Sequence, residues 1–251
     1  MKQRRLCTLL LAAFSILILA GAAVPETAPA PTGTPAPAGT AAPTDTPVPE
    51  TVPPVSNDLL VPTKSPAGFS DVGERDWFKP WTDLAYGAGL MEGPGDGRFY
   101  PYRPLTAGEA LKLAAVLDSG GAYENIPVPG KPWYTGALGY CLEQGLITKA
   151  TFDSYDRAIT RGEMALVFAA TAPVREGADL NDLKRIRISI PDVLPTDFAS
   201  EAIYSLYAKG VLTGSDKQLT FRPNDVITRS EVAAIVTRLA LPDQRITLWS
   251  A

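Results

Sequence analysis

Ile227-Thr228-Arg229-Ser230-Glu231 is the stretch on which the fold turns. It recurs as Ile159-Thr160-Arg161-Gly162-Glu163 and, altered, as Leu105-Thr106-Ala107-Gly108-Glu109. Each copy opens an apolar run of helical period, with Thr followed three residues later by Glu. That spacing predicts a capping box. The Thr hydroxyl accepts from the third helical N–H, and the Glu carboxylate accepts from the Thr N–H. Thr106/Glu109, Thr160/Glu163 and Thr228/Glu231 are therefore expected to start three helices. The cap leaves Arg161 and Arg229 unexplained, because a first-turn cation opposes the helix dipole. Both are candidates for function.

Around these starts a repeat emerges. The distance from an aromatic to a glycine is 12 residues three times over: Trp77 to Gly89, Trp133 to Gly145, Phe198 to Gly210. Each interval reads as a first helix ending in a left-handed glycine cap. Cys141 shares the register of Ala85 and Leu206, which makes it a buried core residue rather than a reactive thiol. The second helices carry apolar stripes four, seven, eight and eleven residues after the Thr. These are Ala110, Leu113, Ala114, Leu117; Met164, Val167, Phe168, Thr171; and Val232, Ile235, Val236, Leu239. Two short helices cannot cover such a stripe alone, so the repeats must pack on one another.

The flanking sequence has a different character. Residues 1–23 read as a secretory signal: Lys2, Arg4 and Arg5 precede an apolar stretch from Leu9 to Leu19, then Ala20-Gly21-Ala22. An uncleaved anchor is the alternative, although the apolar stretch is short for a span. Residues 24–66 hold 12 of the 24 prolines and 8 threonines without one aromatic residue, the composition of a disordered spacer. That content suits a plain spacer or one carrying O-linked sugars. Residues 173–189 read as a charged linker, with Lys184, Arg185 and Arg187 on a solvated face, and 242–251 as a tail.

Cleavage after residue 23 removes three of 23 basic residues and none of the 27 acidic ones, leaving a net charge of −7. An acidic chain without a basic stripe is a poor nucleic-acid binder. Only one of the two cysteines survives, so no intramolecular disulfide is available. The absence of His from the sequence removes histidine triads and histidine metal sites. Each regularly spaced acid has a repeat-level explanation, so the reading is of a non-enzyme without cofactor or metal.

Together the Phe-x-Asp-Val opening (Phe69 to Val72), the aromatic, the helix-ending glycine, Gly-x-x-Asp-Gly-x-Phe-x-Pro (Gly93 to Pro101) and [Ile/Leu]-Thr-Arg-x-Glu resemble the S-layer homology (SLH) domain. The resemblance covers about 67–241. It implies an all-α fold of three helix–loop–helix repeats, 67–118, 119–172 and 190–241, forming a pseudo-threefold prism with a central three-helix bundle. It also implies non-covalent attachment of an exported protein to acidic, commonly pyruvylated, cell-wall polysaccharide, with no membrane partner after signal cleavage. Carried over by position, the ligand-contacting residues are Arg161, Arg229, Asp71 and Asp192, with aromatic partners Trp77, Trp133 and Phe198. A guanidinium suits a ketal carboxylate, and a helix N-terminus adds donors.

The departures are Ala107 in place of Arg, and Asn125 in place of Asp in a second repeat lacking the glycine turn. One or two working grooves are therefore expected. Two alternatives stand beside this reading. Arg161 and Arg229 can instead pair with acids of a neighbouring repeat and stitch the domain together. The chain can also be a surface scaffold, with the Pro/Thr-rich segment engaging other surface proteins. On the ligand reading both arginines are exposed, and Arg229→Ala costs little stability.

Overall fold

The computed structural model describes residues 62–65 and 68–249. The expected signal and nearly all of the spacer lie outside the described residues. The described residues are helical, without a strand among them: α1 (Lys79–Gly87), α2 (Ala107–Asp118), α3 (Thr135–Glu143), α4 (Arg161–Ala169), α5 (Ala172–Arg175), α6 (Leu183–Ser189), α7 (Ser200–Ala208) and α8 (Arg229–Ala240). None of these is long and apolar enough to cross a membrane.

Local chemistry sets the helix ends. All three capping boxes are formed: Thr106, Thr160 and Thr228 accept from the N–H of Glu109, Glu163 and Glu231. Those carboxylates accept in return from the Thr N–H groups at 2.9 Å. α1, α3 and α7 end at Gly89, Gly145 and Gly210, with φ of 72°, 70° and 73°. There Leu90, Leu146 and Val211 donate back to the carbonyls of Ala85, Cys141 and Leu206. Those are Schellman closures, which need a left-handed residue. The three apolar stripes of α2, α4 and α8 are buried, as is Cys141, whose thiol is pushed up to about 12 by burial.

α1 and α2, α3 and α4, and α7 and α8 are not principal packing partners. α1 packs on α8, α3 on α2, and α7 on α4, while α2 also touches α4 and α8. Each of the three glycine-ended helices therefore covers the stripe of one capped helix. Just before the second helices, backbone bonds close a ring. Leu105 N–H donates to Ile227 O (3.0 Å), Ile227 N–H to Ile159 O (3.2 Å), and Ile159 N–H to Leu105 O (3.0 Å). All three side chains are fully buried. A ring of isolated bridges among the described residues does what a sheet would do elsewhere: it satisfies buried backbone groups where three segments meet.

The expected charged linker is more ordered than its composition implies. It carries α5 and α6, with Pro173 in the first turn of α5 and Asp182 capping α6 through Lys184 N–H and Arg185 N–H. Of the three cations read as solvated, Lys184 is exposed, Arg187 pairs with Glu201, and Arg185 lies over the Trp249 ring. The segment after α8 also docks: Ile246 N–H donates to Gly210 O, and Leu248 N–H to the Asn181 side chain.

Candidate functional site

The helix starts and the turns before them build three related junctions. At each, the first two N–H groups of α2, α4 or α8 donate to carbonyls of a turn distant in the chain. Ala107 and Gly108 donate to Arg157 O and Tyr155 O. Arg161 and Gly162 donate to Asp225 O and Pro223 O. Arg229 and Ser230 donate to Arg103 O and Pro101 O. Those bonds span 2.7–3.0 Å. The expectation that these helix ends offer free donors to a ligand is therefore corrected: the neighbouring turn consumes them.

The same geometry explains the arginines. Arg161 and Arg229 are 8% and 6% exposed, so the expectation of exposed side chains is overturned. Arg161 donates through Nε to Phe221 O (2.6 Å) and through Nη1 to Glu231 (2.5 Å), with its guanidinium 5.1 Å from the Phe221 ring centroid. Arg229 donates through Nε to Phe99 O (3.0 Å) and through Nη2 to Glu92 O (2.7 Å). It stands 3.6 Å from Glu109 and 4.7 Å from the Phe99 ring centroid. Each arginine thus reaches from its own helix start into a distant turn and the capping Glu of another helix. Carbonyls, a carboxylate and an aromatic face offset the unfavourable dipole. Burial, the largest cause, lowers the pKa of Arg229; Glu109 opposes the shift and neighbouring Arg103 adds to it.

The opening aspartates hold the same turns. Asp71 accepts from Phe99 N–H (2.7 Å) and Tyr100 N–H (2.8 Å), and Asp192 from Phe221 N–H (2.8 Å) and Arg222 N–H (2.6 Å). Tyr100 and Arg222 sit at φ 59° and 60°, left-handed in spite of their side chains. The carboxylate secures that strained residue. Asn125 instead donates to Trp133 O, and Tyr123 hydroxyl donates to Asn125. Of the predicted aromatics, Trp77 and Trp133 are partly exposed, each edge-on to its neighbour, Phe78 or Tyr134; Phe198 is 76% exposed.

Two residues passed over in the sequence stand out here. Arg103 and Arg157 each lie three residues before a capping Thr, and each pairs with the Glu of its own box, Glu109 or Glu163. That shared position was readable. At the junction with Ala107, Arg157 is the cation on Glu163, at 2.6 Å, and it also binds Asp153 at 2.6 Å. The Arg157 hydrogen bonds hold the Glu163 carboxyl below the usual range. A depressed carboxyl contributes stability above the ordinary carboxylate range, near pH 4.3, and loses it as pH falls through the folded value. Glu163→Gln preserves the cap but removes the charge. Its melting temperature is expected to lie below wild type at neutral pH and to converge with it in acid. A pH series of melts reads this directly.

A cleft of about 440 Å³ lies elsewhere, between the ends of α4 and α7 and the α5–α6 segment. It contains none of the predicted site residues, and its cations are paired: Arg175 with Asp118, Arg187 with Glu201, Lys209 with Asp179.

Comparison with known proteins matches parts of the chain. An S-layer homology domain is found at two positions, residues 68–111 and 189–233. The chain is similar to the Surface-layer 125 kDa protein of Lysinibacillus sphaericus, 24% identical over 187 residues, covering 71% of this chain and 15% of that one. Cell surface glycoprotein 1 of Acetivibrio thermocellus is 32% identical over 161 residues, 59% of this chain and 7% of that one. The Cellulosome-anchoring protein of the same organism is 28% identical over 165 residues, 60% of this chain and 35% of that one. The chain thus spans between 7% and 35% of the length of these relatives.

Proposed function

We propose that this is an exported, non-catalytic cell-surface protein, held non-covalently to acidic, pyruvylated secondary polysaccharide of the bacterial cell wall. Segments 67–118, 119–172 and 190–241 are, in this reading, three SLH repeats arranged as a pseudo-threefold prism. The observation that carries it is the position of the two matched stretches. Residues 68–111 contain Glu109 and Arg103, 189–233 contain Arg229, and these three side chains meet at one junction. The relatives' names, surface-layer and anchoring proteins, support the setting.

Arg161 and Arg229, with Asp71 and Asp192, shape the turns that a polymer would lie against, and Trp77, Trp133 and Phe198 offer ring faces to sugars. The burial of both arginines makes their contribution to binding one of positioning as much as contact. The scaffold reading is favoured by one observation: Ile188, Leu194 and Phe198 are highly exposed apolar side chains, suited to a surface-protein partner. Release separates the two. Soluble purified wall polysaccharide is expected to release the wall-bound full-length chain in proportion to its concentration. Retention in its presence, with release by mild detergent, would favour the scaffold.

A further inference from the structure

The stretch before α3 departs from those before α1 and α7 in a concerted way. Asp71 to Trp77 and Asp192 to Phe198 are six residues each, whereas Asn125 to Trp133 is eight. The longer stretch, Ile126-Pro127-Val128-Pro129-Gly130-Lys131-Pro132, is exposed throughout. Its tip is a turn: Lys131 N–H donates to Val128 O at 3.1 Å, with Pro129 and Gly130, φ +71°, between them. Proline followed by a left-handed glycine is the pattern of a type II turn. Asn125 clips the base, its side-chain amide donating to Trp133 O at 3.3 Å while its side-chain oxygen accepts from the Tyr123 hydroxyl. A carboxylate at 125 has no hydrogen to donate there, so the Asn that replaces the turn-holding Asp and the two added residues belong together. Three prolines, a turn and a clip thus stiffen a finger that holds Ile126, 69% exposed, and Val128 in solvent. A finger ordered in advance loses little entropy on docking.

The cleft between the ends of α4 and α7 and the α5–α6 segment offers the matching concave surface. It encloses about 440 Å³, with Ala169, Val174 and Leu183 as apolar lining, room for a few side chains. On its α7 side the acids stand further out than the cations they pair with: Glu201 is 68% exposed against 36% for Arg187, and Asp179 46% against 12% for Lys209. On the α5 side the order reverses, and half-exposed Arg175 covers the buried Asp118. The charges of the finger are the converse, Lys131 at the tip and Glu124 at the base.

We propose that the finger 126–132 of one copy docks in the α4–α7 cleft of a second copy, with Ile126 and Val128 on the apolar lining and Lys131 at Glu201 and Asp179. The finger leads into α3, which packs on α2, while the cleft joins α4 to α7. The contact therefore joins two different surfaces, and each docked copy leaves a finger or a cleft free for the next. It stands apart from wall attachment, because Ile126, Val128, Lys131 and the cleft residues are not among those assigned to the polysaccharide.

The test is sedimentation velocity of the chain as exported, over a concentration series and without wall material. The average mass of wild type is expected to rise with concentration and to pass beyond the dimer. The double variant Val128→Asp/Lys131→Glu disables the finger and Ser205→Trp fills the cleft. Each is expected to stay monomeric with an unchanged melting curve. Mixed together, the two are expected to form a one-to-one dimer and go no further, since one finger and one cleft remain. Asn125→Asp, which opens the clip, is expected to weaken association on the order of tenfold. If Ser205→Trp melts early, Glu201→Ala reads the cleft instead, with association about threefold weaker. Sacculus binding by the finger variant is expected to match wild type, so a failure of wall attachment is distinguishable from a failure of this contact. A wild-type chain that stays monomeric throughout overturns the proposal, as does self-association that survives in the finger variant. Variants that are monomeric alone and fail to dimerise when mixed overturn the cleft as the partner surface.

Discussion

Arg229→Ala is expected to lower the stability of the fold by about 3 kcal/mol, the scale of breaking a buried charged network. Its guanidinium satisfies Phe99 O and Glu92 O, packs on the Phe99 ring and balances Glu109 across two repeats. Alanine leaves those carbonyls buried without a partner at the place where three segments close. For a domain of this size that corresponds to a fall in melting temperature of roughly 6 to 12 °C. Arg229→Lys recovers little, because one ammonium cannot span both carbonyls. An unchanged melt in Arg229→Ala would mean that solvent, not Phe99 and Glu92, holds the guanidinium.

Gly210→Ala is expected to be comparably damaging, at about 3 kcal/mol, for a backbone reason. Gly210 holds φ +73°, where a Cβ costs about 1 kcal/mol. That Cβ would also lie 2.6 Å from Ile246 O and 2.8 Å from Ile246 N. The obstruction is backbone docked by the Ile246 N–H to Gly210 O bond, so relief requires undocking the segment after α8. Gly89→Ala provides the comparison, with the same left-handed φ of +72° and nothing within 4 Å. It should show the conformational cost alone. Equal melts for the two alanine variants would refute the docked position of Ile246.

The contrast between what was readable and what was not follows sequence distance. The capping boxes, the glycine ends and the apolar stripes depend on residues three to eleven apart, and the helices begin and end where those signals place them. The pairing of α1 with α8 and α7 with α4 depends on which stripe each helix meets after the chain has turned, and no local spacing encodes that. Arg229 shows the consequence. Its misfit to the helix dipole was visible, but its partners at Phe99 and Glu92 lie 130 and 137 residues away, so its burial was not. The α5–α6 segment is a different case: Pro173 and Asp182 are local start signals, obscured by the charge of Lys184, Arg185 and Arg187.

Asp71 and Asp192 mark where motif reading stops. Their position in the repeat was legible, yet each carboxylate holds two N–H groups of a turn, the second of them on a left-handed residue. Residue type and spacing serve a turn clamp and a ligand contact equally well. Arg103 is illegible in the sequence for the opposite reason. Arginine at that position is unremarkable alone and acquires meaning only when Arg229 arrives at the same Glu109 oxygen from another repeat.

The most direct measurement is co-sedimentation of the full-length chain with bacterial sacculi, before and after chemical removal of their secondary polysaccharide. The chain is expected to pellet with the intact sacculi and to stay in solution with the stripped ones. Equal binding to both preparations, or to neither, would contradict attachment through that polymer.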